Sequence, residues 1–171
     1  GKELSFDRGI RSEEYGIIRN RESRYFYILF QIARALNSTN RLEELLDLSL
    51  ELVFQVINAE RGVILLKDGE GKLKLGSARL REQGKVKDME IPVSRTIAKR
   101  AMEEKVGIIT SDAKYDPRFK NGESIVAYNI RSALCVPIWE REEIQGVIYL
   151  DNLLESYAFN EEDLKLLTAI A

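Results

Sequence analysis

Two residue types decide what chemistry this chain could do. It has no histidine and one cysteine, Cys135. Without histidine the commonest general base, metal ligand and pH switch are gone, and no nucleophile–base set can be assembled around a serine or Cys135. Cys135 sits mid-strand between Leu134 and Val136, where a free thiol behaves as a small hydrophobe. A single cysteine also excludes an internal disulfide and fits a cytosolic, reducing setting. Gly69 and Gly71 belong to a turn, so no glycine-rich phosphate loop is present.

What remains is chemistry of binding. Tyr115, Arg118 and Phe119 lie in one long connection, and an aromatic pair with a guanidinium suits a planar, anionic ligand. Ser124 and Tyr128 could add hydroxyls from a short helix, Ser94 could donate to an anion at a helix N-terminus, and Arg79 ends a strand that should face the same region. Each also has a plain structural reading. Phe119 would anchor the loop with Arg118 solvated, Tyr128 would pack on a sheet, and Ser94 would simply cap its helix. Arg131 and Asp151 flank the central hairpin at one end and are expected to form a structural salt bridge.

That hairpin is the element around which the candidates must be positioned. Ser132–Glu140 and Ile144–Asp151 are rich in Val, Ile, Leu, Tyr and Trp, which suit a pleated, buried surface. Arg141 and Glu142 make a turn short enough to force antiparallel pairing. Ala133, Cys135, Pro137 and Trp139 point one way; Leu134, Val136 and Ile138 point the other. A hairpin apolar on both faces needs cover on both sides.

The cover is legible in the order of elements. Residues 1–24 read as a linker or the tail of a preceding element. In Tyr25–Leu36, Tyr25, Leu29, Ile32 and Leu36 form one helical stripe, with Phe26, Phe30 and Ala33 forming a second. Two stripes suggest a helix that also meets a partner; one wide core face is the other reading. Asn40, with Glu43 three residues on, starts a helix to Ile57. Its buried face is Leu42, Leu45, Leu46, Ser49, Leu52, Val53 and Val56, and Asn58 is a left-handed stop. Arg61–Lys67 and Lys72–Arg79 form a second hairpin around Asp68-Gly69. A polar loop spans Leu80–Glu90, Ser94 caps a helix Arg95–Glu104, and Gly107–Thr110 is a short strand. Ser111–Arg131 is a long connection with a short helix at Glu123–Tyr128 stopped by Asn129, and loops of this length in a compact domain are usually functional or mobile. Asn160 caps the last helix, acids fill its first turn, and Phe159 and Leu164 are spaced as a hydrophobic staple. Leu164 and Leu167 make one of its stripes and Leu166 and Ile170 another.

This is an α+β chain with a central antiparallel sheet of five or six strands. Long terminal helices cover one face; the excursion Leu80–Arg131 covers the other and forms a pocket. The 171 residues, 44% hydrophobic and 32% charged, make one soluble domain. A net charge of −2 with interspersed signs argues against a nucleic-acid or membrane surface, and no apolar run approaches the ~20 residues of a membrane span. The chain starts at Gly1 and stops inside a helix, which reads as a piece of a longer polypeptide.

The phrases ILFQIARALNSTNRLEELLDLSLELV, NAERGVILL, IPVSRTIAKRAMEEK, ITSDAKYDPRF, IRSALCVPI, QGVIYLDN and FNEEDLKLLTAIA, covering about Tyr25 to Ala171, resemble the GAF domain. The flavour is that of GAF domains at the N-terminus of sigma-54-dependent bacterial transcription activators; similar ones precede histidine kinases and nucleotide cyclases. The resemblance implies a small-molecule pocket on one sheet face, homodimerisation through the terminal helices, and control of an output domain on the C-terminal side. Candidates for the dimer interface are Tyr25, Phe26, Leu29, Phe30, Ile32, Leu166 and Ile170. Of the signature carried by cyclic-nucleotide-binding members, Asn152, Phe159 and Asp163 match, while Leu153 and Leu164 stand where a lysine and a glutamate would be. No metal or haem is expected. A ligand-free interaction module filled by Ile97, Ile125 and Val126 is the alternative, and an enzyme is the least supported class.

Overall fold

The computed structural model describes residues 31–32, 42–86, 94–119 and 129–171. Their elements are α1 (Leu42–Val56), β1 (Arg61–Lys67), β2 (Leu73–Leu80), β3 (Gly84–Lys85), α2 (Arg95–Glu104), β4 (Ile108–Thr110), β5 (Ser132–Glu140), β6 (Glu143–Asn152) and α3 (Glu161–Ile170). Gln31 and Ile32 are helical as well. The strands form one antiparallel sheet in the order β3-β2-β1-β6-β5-β4. Asn40, the short helix at Glu123–Tyr128 with Ile125 and Val126, and the first helix up to Phe30 lie outside the described residues.

The central hairpin has the expected two faces. Leu134, Val136, Ile148 and Leu150 pack with Leu50, Val53 and Phe54 of α1, with Ile57 just beyond it, with Phe159, and with Leu166 and Leu167 of α3. On the other face Ala133, Cys135, Val147 and Tyr149 pack with Ile97, Ala98 and Ala101 of α2, and with Ala113, Phe119 and Ile130 from the connection. The turn at Arg141–Glu142 holds Arg141 at φ 58°, the left-handed backbone that a two-residue hairpin turn needs.

The buried face of α1 differs from the expected stripe. Leu42 is 61% exposed, whereas Leu50 and Phe54 are buried. The helix has two apolar contacts, which the spacing merged into one. Leu46, Leu50, Val53, Phe54 and Val56 meet the sheet-side core, while Leu48, Leu52 and Val56 meet Ile32 and Ile170. The end of α1 is also a correction. Asn58 is not in the left-handed conformation. Arg81 closes the helix instead: its Nε donates to Ala59 O at 2.6 Å, and its Nη2 to Ile57 O at 2.8 Å and Phe54 O at 3.1 Å. Its guanidinium lies 5.3 Å from the Phe54 ring centre. A cation there satisfies carbonyls that no helical N–H reaches and complements the helix dipole. Arg81→Ala is expected to cost about 2 kcal/mol in urea denaturation, as removal of charge-assisted hydrogen bonds implies.

The polar loop after β2 contains β3, two residues paired as Arg79↔Lys85 and Leu80↔Gly84. Ser77 Oγ donates to Asp47 Oδ1 at 2.6 Å, and Lys85 forms an ion pair with the same carboxylate. These two contacts fix the sheet edge to α1. The other helix ends follow the local sequence. Ser94 Oγ accepts from Ile97 N at 3.2 Å, and α2 closes on Lys105 at φ 56°. Asn160 and Asp163 exchange side-chain-to-backbone hydrogen bonds of 2.9 and 3.0 Å in a capping box. Phe159 is buried in the same core against which Leu164 packs, as a hydrophobic staple requires.

Candidate functional site

The sheet face under α2 carries a buried polar group in the middle of apolar packing. Register places Asp151 opposite Arg61 on β1 and opposite Ala133 on β5. Arg61 Nε donates to Asp151 Oδ1 at 2.8 Å, and its Nη2 to Oδ2 at 2.5 Å. Tyr149 Oη, two residues along the same face, donates to Oδ2 at 2.8 Å. Asp151 and Tyr149 have no exposed surface. Burial raises the Asp151 carboxyl, and the Arg61 guanidinium opposes the shift. Burial, helped by the Asp151 charge, pushes the Tyr149 hydroxyl well above its ordinary value. A carboxylate held by a two-pronged guanidinium and a phenol satisfies the requirement that a buried charge be paired and hydrogen-bonded.

This corrects the expected Arg131–Asp151 bridge. Arg131 turns to Asp112, 3.5 Å away. The partner of Asp151 comes from the neighbouring hairpin through the β1–β6 pairing. The signal available in sequence was Asp151 itself, an acid closing the apolar run VIYL, which demands a buried partner.

Among the described residues, Arg118 meets Phe119, and the other candidates do not converge on them. Phe119 is 1% exposed and anchors its loop in the core, while Tyr115 is 78% exposed. Arg118 is half-exposed, as the structural reading expects, and is also paired: it donates to both Asp116 carboxylate oxygens at 3.1 and 2.8 Å and to Ile109 O at 2.9 Å. Its guanidinium lies 4.9 Å from the Phe119 ring centre, with that of Arg100 at 5.7 Å. Ser94 is fully buried, with its hydroxyl oxygen accepting the capping hydrogen bond. Arg79 pairs across from Gly62 and Lys85, on the face whose Ser77 and Lys85 reach Asp47 of α1. It therefore faces the helix layer and not the excursion, one residue out of step with Ala78. Ser124 and Tyr128 lie outside the described residues, as do Tyr25, Phe26, Leu29 and Phe30. Ile32 is buried against Leu52, beside Ile170. Leu166 is 3% exposed inside the chain's own core, and Leu164 and Ile170 pack against that core, so both stripes of α3 are used within the chain.

The Arg118 contacts hold the Asp116 carboxyl down to about 2, from an ordinary 3.8. Because the folded value is the lower one, this stabilisation is complete above about pH 4 and lost as pH falls toward 2. Arg118 is half-exposed, so solvent limits the effect to under about 1 kcal/mol. Thermal melts between pH 5 and pH 2 should show a smaller loss of Tm for Asp116→Asn than for the unmodified chain.

A six-stranded antiparallel sheet with a helical pair on one face and a helix-and-loop excursion on the other is the arrangement the sequence phrases implied. The family model of the GAF domain matches residues 41–171. The chain belongs to the GAF family. Its GAF domain is 34% identical over 79 residues to the dual 3',5'-cyclic-AMP and -GMP phosphodiesterase 11A of Takifugu rubripes, a stretch covering 45% of this chain and 9% of that protein. It is similar in fold to the GAF domain of a phosphoenolpyruvate-protein phosphotransferase from Coxiella burnetii, with TM-score 0.67 and 23% identity over 88% of this chain and 90% of that one. It is also similar to the free methionine-R-sulfoxide reductase of Neisseria meningitidis in complex with its substrate, with TM-score 0.62 and 19% identity over 85% and 83%.

The three residues matching the cyclic-nucleotide signature all have structural work in this GAF domain. Asn152 Oδ1 accepts from Leu154 N and Glu155 N at 2.9 and 2.8 Å, and its Nδ2 donates to Asn58 O at 3.3 Å. Phe159 fills the core and Asp163 completes the capping box. Cys135 has no exposed surface, and burial raises its thiol far above the ordinary range, the opposite of a reactive cysteine.

Proposed function

We propose that this GAF domain is a regulatory sensing and dimerisation domain. It binds a small molecule on the α2 side of the sheet and controls an output domain attached on its C-terminal side. The observation that carries the reading is the division of cover over one shared hairpin. β5 and β6 touch α2 and the connection on one face, and α1 and α3 on the other. A ligand favouring one arrangement of the first face shifts the helix layer only by its differential affinity for the two arrangements. The sequence phrases support a sigma-54-dependent AAA+ transcription activator as the output. A histidine kinase or nucleotide cyclase is the alternative, and a ligand-free dimerisation module is a further one. The homodimer would use the terminal helices, through surface other than Ile32 and Ile170, which pack within the chain. We assign it a cytoplasmic setting, without direct nucleic-acid or membrane contact; among the described residues no helix is long and apolar enough to cross a membrane.

Native mass spectrometry of the purified chain, with a thermal-shift screen of metabolites, tests ligand binding. A retained mass or a concentration-dependent rise in Tm supports the sensor, and neither outcome across the screen favours the ligand-free module. Sedimentation that stays monomeric at high concentration removes the dimer. Cyclic-nucleotide binding is a second reading, favoured by the phosphodiesterase relative and the partial signature; titration calorimetry with cyclic AMP and cyclic GMP decides it. The fold also serves methionine sulfoxide reduction in the Neisseria protein. We infer that this chain does not share that activity, because its lone thiol is buried and desolvated.

A further inference from the structure

We draw no further inference here: the strongest candidate, the loop after β6 that holds Leu154 and Tyr157 out to solvent on the side where Tyr157 N donates to Ser111 O, is an exposed apolar patch, and nothing in the structure shows what covers it.

Discussion

Gly146→Ala is expected to leave little or no folded protein. A Cβ at this position would stand 1.9 Å from Leu65 O, and 3.0 Å from both Leu65 C and Leu66 Cα. All three are backbone atoms of β1, so no side-chain rotation relieves the overlap. Gly146 pairs with Leu66 on one side and Ile138 on the other, beside the irregularity at Ile138/Trp139. A glycine within a strand often marks such a close backbone approach. Making room for a methyl means separating β1 from β6, the contact that joins the two hairpins into one sheet. The expected loss exceeds about 4 kcal/mol, the exceptional end of single substitutions, against a typical total of about 5–15 kcal/mol. Gly69→Ala is the control. It lies in the β1–β2 turn with nothing within 4 Å of an added Cβ, so its effect should stay within about 0.5 kcal/mol. Soluble yield and urea midpoints of the two variants make the comparison. A Gly146→Ala protein melting within a few degrees of the parent would show that the strands separate at little cost.

The parts of this fold that were legible in sequence are those specified locally. β5, β1 and α2 begin and end where strand-forming residues, the Asp68-Gly69 and Arg141–Glu142 turns and the Ser94 cap place them. The need for cover on both faces of the hairpin followed from its being apolar on both sides, with no polar–apolar alternation. Where reading failed, a non-local contact decided the outcome. Arg61 and Asp151 are 90 residues apart, and no pattern in either hairpin states that β1 lies against β6. Arg79 faces the helix layer and not the excursion because strand period is two, so a single step reverses the side chain; the shift between Ile64 and Leu65 breaks the count along β2. In α1, two partners on adjacent sides produced a stripe that no single helix face explains. The candidate binding residues were read from type and loop position. In the fold, Phe119, Arg118 and Ser94 are already engaged by neighbours, so residue chemistry alone overstated their availability.

Asp151→Ala is expected to be the most damaging polar substitution among the described residues. It leaves the Arg61 guanidinium, whose side chain is 12% exposed, and the buried Tyr149 hydroxyl without their shared acceptor. Removing one member of a buried ion pair typically costs about 3–5 kcal/mol, because the other charge stays desolvated. Arg61→Ala should be similarly harmful, since it strands the carboxylate. The double variant removes both charges, so its loss should fall short of the sum of the two singles by more than about 1 kcal/mol, as expected for residues in direct contact. Replacing both with apolar residues of similar size, as in Arg61→Met with Asp151→Leu, should recover most of the parent's stability, because a well-packed apolar pair avoids the desolvation. Arg131→Ala discriminates this network from the bridge that chain position alone suggested. Arg131 meets Asp112 at 3.5 Å and is about one-third exposed, so its loss should stay near or below about 1 kcal/mol. Urea denaturation of the five variants reads every term. Strict additivity of Arg61→Ala and Asp151→Ala would mean that the two groups do not act as a pair, and that the buried charge near the end of β6 is held by something other than its cross-strand neighbour.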